Sequence, residues 1–323
     1  MQPMTATGTH TGTHAGTDRS TGVGTACAVG AVASVQLGAA VAVTLFARTG
    51  VLGTVSLRFS AAACVLLALT RPWRVRWTGR DLRTVLAFGL AFVAMNTSLY
   101  LAISRLPLAT AITLEFLGPL GVAVVTAVGW RQRVWALPAA VGVGLIGGSL
   151  RADDLVGTLA ALGAALAWAS YILLSRRMGT SEHGLAGLAL ATLLGALVVL
   201  PFGVATAGPA LRDPAVLGLG LLIGLLSSAL PYSLDLLALR RLSTAVFGVL
   251  TSLNPAAAAL AGFVVLSELP PHRQLVGIAL VMVASVGVTA SGRSAGTRSR
   301  DDGPAGLDPG VLRDPAEQVR DLR

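Results

Sequence analysis

One carboxylate stands well inside an apolar run. It is Glu115, in the stretch RLPLATAITLEFLGP over residues 105–119. At membrane depth an acid costs roughly 2.5–3.5 kcal/mol on insertion scales, so it is buried in protein and used. Two chemistries suit it: exchange of a proton, or pairing with a substrate ammonium group. The structural alternative is a pair with Arg58 or a hydrogen bond to a neighbouring helix. At helical spacing its neighbours are Ala111, Gly118 and Pro119. These small residues let another helix approach or leave a cavity.

The stretch has an echo. Shifted by 136 residues, RLSTAVFGVLTSLNP at 241–255 repeats Arg, Leu, Ala, Leu, Leu and Pro in register. Six identities in fifteen, without a gap, mark an internal repeat. The echo of Glu115 is Thr251, so the repeat breaks at the acid. Gly248, Ser252, Pro255 and Ala259 again make a small, weakly polar stripe. Gly118-Pro119 and Asn254-Pro255 occupy matching places. Each proline withholds a backbone donor and frees a carbonyl one turn back. Such carbonyls can coordinate an ammonium group or cation where they line a cavity. A plain packing kink is the other reading.

The remaining polar groups within apolar runs are few. Asp235 lies beside Arg240 and Arg241, either as an interfacial ion pair or as an inner gate and second proton site. Arg58 either snorkels to the interface or binds a carboxylate bidentately. Gln36, Asn96, Tyr100, Trp168, Tyr171 and Tyr232 offer the donors and acceptors an amino-acid site needs. Each also suits interhelical bonding or an interfacial aromatic belt. Glu268 and Trp73 sit at loop junctions and receive no role.

These residues need elements to hold them, and composition says which. The chain of 323 residues is 54% hydrophobic and 12% charged, against about 25% charged in soluble proteins. It is an integral membrane protein. The net charge of +9 could point to nucleic acid, but the arginines sit mostly in short loops, as membrane orientation requires. All 24 basic residues are Arg, which excludes a Schiff-base or P-loop lysine. Cys27 and Cys64 form no CxxC pair. His10, His14, His183 and His272 fall outside the apolar runs, which argues against a buried metal site. His10 and His14 fit a solvated tail better than a weak metal site. No HExxH or GxSxG motif is present, so no enzyme chemistry and no cofactor is expected.

Ten apolar runs lie at about 22–46, 54–70, 82–104, 107–128, 134–150, 156–175, 184–207, 214–239, 242–267 and 273–291. Most are long enough for a ~30 Å hydrocarbon core, and helices are the open-chain way to cross it. Alternate loops hold eleven arginines against five. The richer set is cytoplasmic, which places both termini inside. The expected fold is all-α: ten transmembrane helices as two five-helix repeats, 22–151 and 152–291. Five is odd, so the second copy enters upside down, as in many secondary transporters. Disordered tails are expected at 1–21 and 292–323.

Three segments carry a resemblance: LEFLGPL at 114–120, ALGAALAWASYIL at 161–173, and SALPYSLDLLALRRLSTAVFGVLTSLNPAAAAL at 228–260. They resemble the drug/metabolite transporter superfamily, in its EamA-type ten-helix branch, and within it the threonine/homoserine exporters. The resemblance covers about residues 22–291. It implies inner-membrane location and export of small metabolites against proton entry. The expected partners are a small-molecule substrate, protons and the bilayer, with a homodimer allowed and no nucleic acid. A drug, a cysteine-pathway compound or a nucleobase is the alternative cargo.

Overall fold

The computed structural model describes residues 14–127, 129–147, 155–178 and 184–301, and every regular element among them is helical. The helices are α1 (His14–Thr70), α2 (Gly79–Ile103), α3 (Leu108–Glu115), α4 (Leu117–Val125), α5 (Trp130–Arg133), α6 (Ala136–Gly147) and α7 (Leu155–Met178). Then come α8 (Gly184–Ala207), α9 (Pro214–Gly224), α10 (Leu230–Leu239), α11 (Thr244–Thr251), α12 (Asn254–Leu266) and α13 (His272–Asp301). Helix is what an apolar chain must form where no water can satisfy its backbone. Eight candidate spans among the described residues are long and apolar enough to cross a membrane.

The first candidate span runs 50 residues, Thr21–Thr70. At ~1.5 Å per residue that is about 75 Å, far more than a ~30 Å core. Gly50 divides it, with φ at 68°, a conformation that only glycine enters at no steric cost. The expected loop between 46 and 54 is therefore a one-residue kink. Beyond it, α2 starts from a capping box in which Thr78 accepts from the Asp81 N–H and the Asp81 carboxylate accepts from the Thr78 N–H.

Both end helices overrun the apolar runs. Helix α1 begins at His14 and α13 continues to Asp301, so residues 14–21 and 292–301 are helical where structureless tails were expected. Hydropathy reports burial, whereas the backbone ladder continues into polar residues that include no proline. Residues 1–13 and 302–323, with His10 and His183, lie outside the described residues.

Three further spans are interrupted, each just before a proline. The run at 107–128 breaks at Phe116, between α3 and α4. Its echo breaks at Ser252 and Leu253, between α11 and α12. The run at 214–239 carries a π-helical turn, Leu225–Ala229, ahead of Pro231. Pro119, Pro231 and Pro255 have no N–H for the carbonyls of Glu115, Ser227 and Thr251 four residues back. The physical break thus falls a turn before the residue that causes it.

Small residues bring the helices close. A Cβ on Gly142 would lie 2.6 Å from the Gly277 carbonyl, and one on Gly277 would lie 2.6 Å from the Gly142 carbonyl. Gly118 is pressed against the Ala165 backbone, and Gly38 against the side chain of Ser227. All eight residues of α3 are buried. The outer surface is apolar, with Leu166, Leu197, Leu260 and Val264 more than half exposed, as suits a face wetted by lipid.

Candidate functional site

The broken segments converge on a cavity of about 140 Å³. Helix α1 supplies Gln36 before its kink and Arg58 after it. Helix α2 supplies Asn96 and Tyr100, α3 supplies Glu115, and α7 supplies Trp168. The π-helical turn and α10 contribute Ser227, Tyr232 and Asp235, and α12 contributes Asn254. One cation, two carboxylates and several neutral amides and hydroxyls thus share one small chamber.

The cation is buried, not snorkelling. Arg58 is 8% exposed. Its Nη2 donates to the Ser227 carbonyl at 3.3 Å, the acceptor that Pro231 leaves open. Its guanidinium lies 5.2 Å from the centroid of the Tyr100 ring, within the range of a cation–π contact. The π-turn's other exposed acceptor, the Leu226 carbonyl, takes the Ser34 hydroxyl at 2.6 Å. Helix α1 therefore satisfies the backbone that the bulge exposes. Arg58 is also within electrostatic reach of Glu115, yet no ion pair joins them among the described residues.

In the second copy the freed carbonyl is also occupied. Asn254 Nδ2 donates to the Thr251 carbonyl at 2.8 Å. Asn254 Oδ1 in turn accepts from Gln36 Nε2 at 2.8 Å. The Thr251 carbonyl thus already accepts one hydrogen bond in this conformation. The first copy has Gly118 where the second has Asn254, because α7 packs too close there for any side chain.

Three buried polar atoms on cavity-lining residues have no partner among the described residues: Gln36 Oε1, Tyr100 OH and Ser227 Oγ. Buried polar atoms are normally satisfied, so these atoms mark where a polar guest or water belongs. Asn96 spends its Nδ2 on the Phe92 carbonyl at 2.8 Å. Trp168 meets Phe116 edge-on at 5.6 Å, which couples the cavity wall to the break in the α3–α4 span.

Several expected contacts fall elsewhere. Thr251 and Ser252 both donate to the Gly248 carbonyl, and Ser252 also bonds Ser285 at 2.8 Å. Ser252 thus holds the end of α11 against α13, and neither residue lines the cavity. Tyr171 packs behind it, 4.5 Å from Phe88 and 5.9 Å from Phe92. Gly118, Pro119 and Pro255 shape the breaks without lining the chamber. Asp235 makes no ion pair with Arg240 or Arg241 among the described residues. Arg241 donates instead to the Leu237 carbonyl at 3.2 Å.

Two residues outside the expected set matter. Ser227 was detectable, since a proline four residues on frees its carbonyl. Glu268 was not. Its Oε2 accepts from the Leu108 N–H at 2.8 Å, capping α3 from the far end of the sequence. Nearby, Thr110 donates to Gln274 at 3.1 Å. The N-cap of α3 is Pro107, which has no capping side chain. Its echo Ser243 caps α11 through the Val246 N–H.

Residues 155–290 match the EamA-like transporter family. The threonine/homoserine exporter RhtA of Escherichia coli (strain K12) is 40% identical over 266 residues, 81% of this chain and 90% of that protein. The chain belongs to the EamA-like transporter family. RhtA of Salmonella typhimurium (strain LT2) is 38% identical over 262 residues, 80% of this chain and 88% of that protein. One crystal structure at 20% identity covers 85% of this EamA-type chain and 99% of its own, with a TM-score of 0.56. That likeness concerns fold alone.

Proposed function

We propose that this protein is a secondary active exporter of small polar metabolites, amino acids of the threonine and homoserine kind, driven by proton entry. The observation that carries the reading is the cavity itself. Arg58, Glu115 and Asp235 face one small space, a charge pattern suited to a zwitterion. In this scheme Arg58 takes the substrate carboxylate, and the carboxylates take either the ammonium group or a proton. Competition between the two for Glu115 makes the exchange an antiport. The relatives named as threonine/homoserine exporters support this cargo.

Size favours a metabolite over a drug. The ~140 Å³ cavity compares with the roughly 150 Å³ of an apolar cavity that holds one benzene. Drug-sized sites begin near 300 Å³. A cysteine-pathway compound or a nucleobase remains the second cargo class within the same scheme.

The scheme has ten crossings in two inverted halves, both termini cytoplasmic. Gly50 splits the first span, and α5 with α6 supplies the fifth crossing. Two reciprocal contacts support the pseudo-twofold. Gly24 packs on Arg241 and Leu242, while Gly157 packs on the echo residues Arg105 and Leu106. Gly142 and Gly277 face each other symmetrically. One half then rocks against the other around the cavity.

The test is efflux of labelled threonine in everted vesicles under an imposed pH gradient. Wild type accumulates threonine and Glu115→Gln loses gradient-driven uptake. If Glu115→Gln accumulates threonine as the wild type does, the coupling role is wrong.

A further inference from the structure

The orientation of two amides follows from a proline. Pro255 leaves the Thr251 carbonyl without its helical donor. A carbonyl oxygen only accepts, so the Asn254 group that faces it must be the NH₂. This is the 2.8 Å bond from Nδ2. Asn254 Oδ1 then points the other way and requires a donor, which the Gln36 NH₂ supplies at 2.8 Å. Gln36 is left with its Oε1 as a fixed acceptor. That atom is buried and unpartnered, on a residue 2% exposed that lines the cavity.

The other two orphaned groups are different in kind. Tyr100 OH and Ser227 Oγ can rotate to donate or to accept, so a carboxylate satisfies either. Gln36 Oε1 accepts only and needs a donor from the guest. A zwitterion's ammonium group is drawn to the carboxylates of Glu115 and Asp235. The donor left for Gln36 is a side-chain hydroxyl.

We propose that Gln36, locked by Asn254 and the Thr251 carbonyl, is the specificity-determining residue that reads a hydroxyl on the substrate side chain. This rests on the export reading above and adds to it the basis of selection. Sites that hydrogen-bond a substrate hydroxyl reject the analogue lacking it, because a buried acceptor is then left unpaired. Threonine and homoserine share one such analogue, 2-aminobutyrate, which is either molecule without its hydroxyl.

The experiment compares labelled threonine, homoserine and 2-aminobutyrate in everted vesicles, for wild type and Gln36→Leu. Wild type should prefer both hydroxylated substrates by at least about tenfold in kcat/KM, the scale of one buried hydrogen bond. Gln36→Leu should bring the ratio to within about twofold, with monodisperse elution of the purified variant in detergent as the control for folding. Equal wild-type rates for threonine and 2-aminobutyrate overturn the inference and leave the export reading standing. So does a Gln36→Leu variant that loses all three substrates in equal proportion, since that is an ammonium or packing effect. A wild type that moves none of the three overturns the export reading itself. If Gln36→Leu yields no folded protein, thermal stabilisation of the wild type in detergent decides. Threonine should act at about a tenth of the 2-aminobutyrate concentration, and equal concentrations refute the assignment.

Discussion

Asn254→Ala removes the residue that holds two buried groups at once. The Thr251 carbonyl loses its donor and Gln36 Nε2 loses its acceptor, each bond being 2.8 Å long. An orphaned buried group in a protein interior costs about 1–3 kcal/mol. Side-chain hydrogen bonds in membrane proteins average nearer 0.6 kcal/mol, with a maximum of about 1.7. Two such losses give an expected destabilisation of about 2 kcal/mol. The measurement is reversible unfolding of the purified protein in mixed micelles, run as a double-mutant cycle with Pro255→Ala. Alanine at 255 restores an N–H that can serve the Thr251 carbonyl directly. In that background Asn254→Ala should lose only the Gln36 bond, about half the effect. If Asn254→Ala shifts stability by less than about 0.5 kcal/mol, the satisfaction argument fails. It fails equally if the two changes add within about 0.5 kcal/mol.

Gly142→Ala and Gly277→Ala should destabilise by similar amounts, about 1–3 kcal/mol, because each new Cβ meets the other's carbonyl. Gly121→Ala, which points into open space, should be neutral or stabilising in the same micelle assay. Glu268→Ala should cost about 1 kcal/mol by uncapping α3, read as a lower thermal midpoint. Burial pushes the Glu268 carboxyl above the usual range, against the Leu108 N–H, which pulls it down. Its contribution is then present below the ordinary carboxylate value and lost as pH rises through the raised one. Glu268→Gln should flatten the thermal midpoint across that window. Asp213 runs the opposite way. The hydrogen bond from Arg48 and then that from the Ala215 N–H hold its carboxyl below the usual range. Its contribution is present above the ordinary value and lost as pH falls through the lowered one. Asp213→Asn keeps the cap of α9 and should remove that acid limb from the melting curve.

The membrane nature of the chain and most span positions were legible in single runs of residues. So were two of the breaks, since Pro119 and Pro255 announce them. Hydropathy left Arg58 between two readings. Taken by itself an arginine near a span end should reach for water, yet Pro231 has opened a carbonyl on a helix 169 residues away. Thr251 shows the converse. Register with Glu115 marked it for the site, but it spends its hydroxyl on the Gly248 carbonyl and α11 bonds to α13 through Ser252. The cap from Glu268 to Leu108 spans 160 residues, and no local pattern could join them. The absence of a capping side chain at Pro107 was the one available hint.

Composition by itself determined that this chain crosses a bilayer as helices, because hydrocarbon leaves the backbone no other partner than itself. It also marked two places where those helices fail, Pro119 and Pro255, because a proline's missing N–H is a local fact, although Pro201 lies inside an unbroken α8. Which side chains meet in the cavity was decided only by tertiary structure. That depends on how far each segment rotates beyond its break and how closely it can approach its neighbour, as Gly118 does Ala165 and Gly38 does Ser227. The deciding distances belong to pairs of helices and exist only once both are packed.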